Sequence, residues 1–145
     1  MKGNWFLALA RLFLILDALI FLMVGTFLLT DPASLPYIDL DSASALTAIR
    51  TWGGMFIGVG IVGLIAGLNR SHIRPGLIIM LIISSMIVLV RLYGINVDGV
   101  EPRQLNELRD ESLGPVLALV GLLFFWLHQR SSERSNPNGS VAPDN

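Results

Sequence analysis

Residues 5–29 read WFLALARLFLILDALIFLMVGTFLL, and how this stretch is taken decides the fold. As a helix rising ~1.5 Å per residue, it reaches across a hydrocarbon core of ~30 Å with room for tilt. The competing reading is a secretory leader. The run is too long for a leader's apolar region, Arg11 and Asp17 interrupt it, and Thr30-Asp31-Pro32 offers no small-x-small cleavage site. The stretch is therefore a retained transmembrane helix. Asp31-Pro32 ends it, since proline and the residue before it resist helical continuation.

The same pattern recurs three times. After a loop over residues 31–41, which carries Tyr37 at the water–lipid boundary, a second span covers residues 42–68, with Asp41 or Ser42 as its N-cap. A polar turn, Asn69-Arg70-Ser71-His72-Ile73-Arg74, leads to Pro75 in the first turn of a third span over residues 76–93. The loop 94–112 contains a short surface helix starting at Glu101-Pro102, with Leu105 and Leu108 on one face. The fourth span covers residues 113–128, near the lower limit of length for a crossing. The Ser/Asn/Pro/Gly-rich tail 129–145 is expected to be disordered. The expected fold is thus all-α: one four-span membrane domain over residues 1–128, with no internal or inverted repeat.

Composition agrees. Hydrophobic residues make up 53% of the chain and charged residues 14%, against about 25% charged in a soluble domain. A net charge of −1 gives no basic footprint for nucleic acid. The absence of cysteine excludes disulfides, thiolate catalysis and cysteine-ligated metal sites. His72 and His128 fall at one membrane boundary rather than facing each other in a core, so no haem, other cofactor or metal is expected. No metalloprotease, nucleophile-elbow or phosphate-loop motif is present.

Loop charges set the orientation. With the N-terminus inside, the cytoplasmic side carries Lys2, Arg70, Arg74, Arg130 and Arg134, and the outer loops carry only Arg103 and Arg109. Trp5 and Trp126 would then mark the inner boundary, Trp52 and Tyr93 the outer. The expectation is a multi-pass inner-membrane protein, both ends cytoplasmic and the short helix external.

Charges within the spans supply the candidate site. Such charges face the bundle interior or water. Arg11 lies near enough to the cytoplasmic end to snorkel. Asp17 lies midway along the first span and is too short to do so; it must be protonated, hydrogen-bonded, paired or wetted. It is either a polar tie between helices or a proton or ligand site. Arg50, Arg91 and Glu111 come from three different spans at one level beneath the outer surface. They form either a structural ion-pair network or an anion site, because a guanidinium suits a phosphate or carboxylate. On the second span, Gly53, Gly54, Gly58, Gly60, Gly63 and Gly67 include the small-xxx-small pairs Gly54/Gly58 and Gly63/Gly67, and Gly53, Gly60 and Gly67 repeat every seven residues. Such glycines admit a close helix neighbour, either within the bundle or in another chain.

Arg50-Thr51-Trp52-Gly53-Gly54 with Gly58 and Gly60, then Arg91-Leu92-Tyr93-Gly94 with Asp98-Gly99, then Glu111, resembles an uncharacterised bacterial four-span family known only as a domain of unknown function, with a broader DoxX-like character. The resemblance covers about residues 5–128. The segment Asp98-Gly99-Val100-Glu101-Pro102 is one residue longer than that family's Asp-Gly-x-Pro. The resemblance implies a fold and a charge cluster, and no activity.

Three functions compete. The leading one is non-enzymatic: a binding or accessory protein for an amphiphile, a second copy or another membrane protein, in contact with the lipid bilayer. The second is a carrier or binding site for an anionic amphiphile at Arg50 and Arg91, which a pocket reaching both would favour. The third is a lipid-modifying enzyme using Asp17 or Glu111 as acid or base, which a pocket joining the two would favour.

Overall fold

The structure is a computed structural model that describes residues 3–32, 43–98 and 102–135. Helix α1 spans Gly3–Thr30, α2 Ala43–Leu68, α3 Ile73–Asp98, α4 Pro102–Glu111 and α5 Leu113–Ser135. A 3₁₀ turn, Arg70–His72, joins α2 to α3. Most of the loop 31–41 with Tyr37, the expected cap at Asp41 or Ser42, the segment 99–101 and the tail beyond Ser135 lie outside the described residues.

Four stretches are long and apolar enough to cross a membrane: Asn4–Thr30, Ala45–Leu68, Arg70–Val97 and Leu105–Ser132. The chain is an all-α, multi-pass membrane bundle. In lipid every backbone polar group must be satisfied within the segment, which the helix does. The helices overrun the boundaries expected from sequence. Helix α3 begins before Pro75, which sits in its first turn, and continues to Asp98. Helix α5 does not stop at His128 but runs to Ser135, so the first part of the expected tail is helical. Polar side chains after His128 do not oppose a helix that has already left the hydrocarbon; hydropathy marks the edge of the lipid, not the end of the helix.

Local chemistry makes the turns. Asn69 adopts an extended backbone, and its side chain accepts hydrogen bonds from Ser71 N (3.1 Å) and Ser71 Oγ (2.8 Å), which breaks α2 from α3. Between α4 and α5 the break is slight. Ser112 N donates to Leu108 O at 3.0 Å, and Val116 N to Ser112 O at 3.4 Å, so the two helices nearly continue one another.

Helix α1 is the centre of the bundle. It packs most extensively on α2, then on α5, and also touches α3. Its buried residues Leu7, Ala10, Leu14, Asp17, Ala18 and Phe21 recur every three or four positions, one face of a helix. Large apolar side chains such as Met55, Ile61, Ile82, Leu89 and Leu123 point outward. That inverted distribution is what lipid as solvent permits and water does not.

The glycines of α2 divide into two faces. A Cβ on Gly53 would lie 2.7 Å from Leu29 N and 2.8 Å from Gly25 O, and one on Gly25 would lie 2.7 Å from Gly53 O. The α1 and α2 backbones touch there, as only glycine allows. Gly60 and Gly67 continue this face against Leu22 and Ile15, and Gly63 sits against Ala18 and Met80. Gly54 and Gly58 are exposed, with nothing within 4 Å of a Cβ placed on either. Of the two small-xxx-small pairs, then, Gly63/Gly67 packs inside the bundle and Gly54/Gly58 faces out.

Candidate functional site

Asp17 projects from α1 into the middle of the bundle. It is fully buried, and neither carboxylate oxygen has a hydrogen-bond partner among the described residues. A buried polar group without a partner is expensive, and a charged one more so. The neighbours do not relieve it. Ser84 of α3 is buried close by, but its Oγ donates to Met80 O of its own helix at 2.6 Å. That leaves the serine an acceptor toward Asp17, not a donor. Gly114 brings the α5 backbone in beside both: a Cβ there would lie 2.9 Å from Ser84 Cβ and 3.5 Å from Asp17 Oδ1.

A cavity of about 170 Å³ opens from this carboxylate toward the α4 end of the bundle. Its apolar wall includes Ile20, Phe21, Val24, Phe56 and Ile87, and its polar groups are Asp17, Ser84, Asp110 and Glu111. Phe21 and Phe56 meet edge to face at 5.5 Å between ring centres and fix one side. A wider cleft of about 520 Å³, bordered by Trp52, Val90, Arg91 and Gly94, shares Ile87 and Glu111 with it.

The arginine at this end is already engaged. Arg91 Nε donates to Glu111 Oε2 at 3.1 Å and Nη2 to Glu111 Oε1 at 2.6 Å, a two-point grip. Its Nη1 pairs with Glu107 Oε2 at 2.5 Å. Glu107 and Glu111 stand one turn apart on α4, so a single guanidinium straps α4 to the end of α3.

The residues singled out from sequence are thus only partly brought together. Arg91 and Glu111 meet directly. Asp17 joins Glu111 across the cavity without touching Arg91. Arg50 stands exposed on α2, and among the described residues no ion pair links it to Glu107 or Glu111. The three-charge convergence of Arg50, Arg91 and Glu111 expected from their common depth therefore does not form. Depth along a span carries no azimuth: among the described residues α2 packs on α1 and α3, and none of its helix contacts is with α4, which carries the carboxylates. Glu107 was missed. Its signal was its place four residues before Glu111 on a short polar helix, which puts both acids on one face.

With the geometry in place, comparison with known proteins adds one finding. The family model described as a domain of unknown function (DUF4345) matches residues 9–127. The chain belongs to this family. The match takes in the second and third membrane-crossing helices, most of the first and fourth, and the cavity, and it carries no activity. No curated protein and no solved structure matched the chain. The broader DoxX-like resemblance stays an expectation from sequence.

Proposed function

We propose that this DUF4345 protein is a non-catalytic membrane binding protein whose cavity takes an amphiphile with a cationic or hydrogen-bond-donating head, an amine above all. One observation carries the reading: a fully buried carboxylate, with both oxygens unpartnered, lines an otherwise mostly apolar cavity. Donors from a ligand head would supply what the described residues do not. A volume of about 170 Å³ suits a compact head; an engineered cavity of ~150 Å³ holds benzene. The aliphatic remainder can leave along the lipid-facing helices.

The charge pattern argues against an anionic ligand. Arg50 is absent from both clefts, and the charge of Arg91 is offset by two carboxylates. Because the cavity joins Asp17 to Glu111, acid–base chemistry is the second reading. It is the weaker one, since both Glu111 oxygens are held by Arg91, which leaves Asp17 without the second free carboxylate of that pair. The basic loop residues favour both ends cytoplasmic, and the family resemblance favours a bacterial inner membrane. Native mass spectrometry of the full chain from mild detergent tests the binding reading. A retained amine-headed amphiphile that is lost in Asp17→Asn supports it. Retention of the same species by Asp17→Asn, or of acidic amphiphiles only, contradicts it.

A further inference from the structure

The opposite end of the bundle carries a second polar groove of about 310 Å³, bordered by Asn4 and Arg11 of α1, Leu68 at the end of α2, and Arg70 of the 3₁₀ turn. Arg11 and Arg70 are exposed, and among the described residues no carboxylate lies within ion-pair distance of either. Their situation is the reverse of that of Arg91, which is held by two glutamates. Arg70 Nη2 reaches Asn4 Oδ1 at 3.5 Å, a long contact that uses the amide oxygen and leaves the Asn4 amide donors without a partner among the described residues.

The level of the groove fits a lipid headgroup. Trp5 is exposed on α1, and Trp126 on the antiparallel α5 carries the Arg130 guanidinium 3.8 Å from its ring centre. Indole rings of this kind sit at the membrane–water boundary. Arg11 lies six residues deeper along α1 than Trp5, ~9 Å of helix, so its long side chain reaches back up to the headgroup level. Leu68 and Leu7 give the groove an apolar lip where an acyl chain would begin. Two guanidinium groups without a carboxylate partner among the described residues and an amide donor, on two helical segments, match the oxygens of a phosphate.

We propose that this groove binds a phosphate group, and that its source is the phosphodiester head of an acidic membrane lipid. The proposal does not rest on the Asp17 cavity. The test uses the full chain in phosphatidylcholine nanodiscs containing a minor fraction of phosphatidylglycerol, with bound lipid counted by native mass spectrometry. A parallel arm titrates inorganic phosphate in detergent. Each arginine near an anionic headgroup contributes about fivefold in affinity, so Arg11→Gln with Arg70→Gln should lower phosphatidylglycerol retention roughly 30-fold, with phosphatidylcholine unchanged. Arg109→Gln, an exposed change on α4 at the other end, should leave retention unchanged. If the double glutamine variant fails to fold, the Arg11→Lys, Arg70→Lys pair decides: keeping the charge keeps acidic lipid bound. Displacement of the lipid by low-millimolar phosphate would support the phosphate site but reassign its source. Equal retention of phosphatidylglycerol by the wild type and the glutamine pair would overturn the proposal.

Discussion

Gly53 and Gly54 are neighbours on one apolar helix, and the structure gives alanine opposite effects at the two. In a helix interior, replacing glycine by alanine is worth ~0.5–1 kcal/mol, because glycine loses more freedom on folding. At Gly54 nothing lies within 4 Å of the new methyl, so that gain stands alone, and Gly54→Ala should stabilise the protein by ~0.5–1 kcal/mol. At Gly53 the methyl would lie 2.7 Å from Leu29 N and 2.8 Å from Gly25 O. Neither is a side-chain end that can swing away. To restore ordinary contact at 3.4 Å, α1 and α2 must part by about 0.7 Å locally. A gap of ~0.5–1 Å forfeits a quarter to a half of the attraction at each contact affected, and overpacking a well-packed site costs ~1–3 kcal/mol. After the helix gain, Gly53→Ala should be less stable by ~1–2 kcal/mol. The assay is reversible unfolding in mixed micelles, titrating a denaturing detergent and following helicity. A difference of ~2–3 kcal/mol between adjacent variants is expected. Shifts of the same sign and size would show that α2 does not present Gly53 to α1 and Gly54 to lipid.

The remaining predictions are brief. Arg91→Ala and Glu111→Gln should each destabilise the protein, and together should cost less than their sum by ~1–2 kcal/mol in a double-mutant cycle; additive effects would dissolve the strap between α3 and α4. Single cysteines at positions 44 and 71 should label from opposite faces of intact cells, 71 from the cytoplasmic side; labelling of both from one side would remove the four-span topology.

The fold was legible because membrane helices announce themselves. A run such as 5–29 has few structural alternatives in lipid, and Asn69 and Pro75 mark a turn by backbone chemistry alone. The site was legible in part. Asp17 and the Arg91–Glu111 pair stood out because charge at membrane depth needs a reason. What sequence could not supply was rotation about the helix axes. Arg50 and Arg91 sit at matching depth, yet only α3 faces α4. The glycines of α2 read as one stripe with a side branch, and only the packing against α1 shows which of them touch a backbone. Glu107 lay within a loop by hydropathy, where a polar residue is ordinary, and gained meaning only when α4 folded back on Arg91. The cavity is a property of how five helices meet around Gly114 and Ser84, which no single stretch encodes.

The account turns on the sign of the group that Asp17 receives. The most direct measurement is equilibrium binding of two probes with identical alkyl chains, one ending in a primary ammonium and the other in a sulfate, to the purified full-length protein carrying Arg11→Gln and Arg70→Gln, so that the anion groove takes neither probe, in a neutral detergent. The chains cancel, leaving the head. A hydrogen bond to a charged group is worth ~1.5–3 kcal/mol, so the ammonium probe should bind ~10- to 100-fold more tightly than the sulfate, and Asp17→Asn should erase most of that preference while leaving the protein folded. Equal binding of the two probes, or an ammonium preference that survives Asp17→Asn, would contradict the assignment of this cavity.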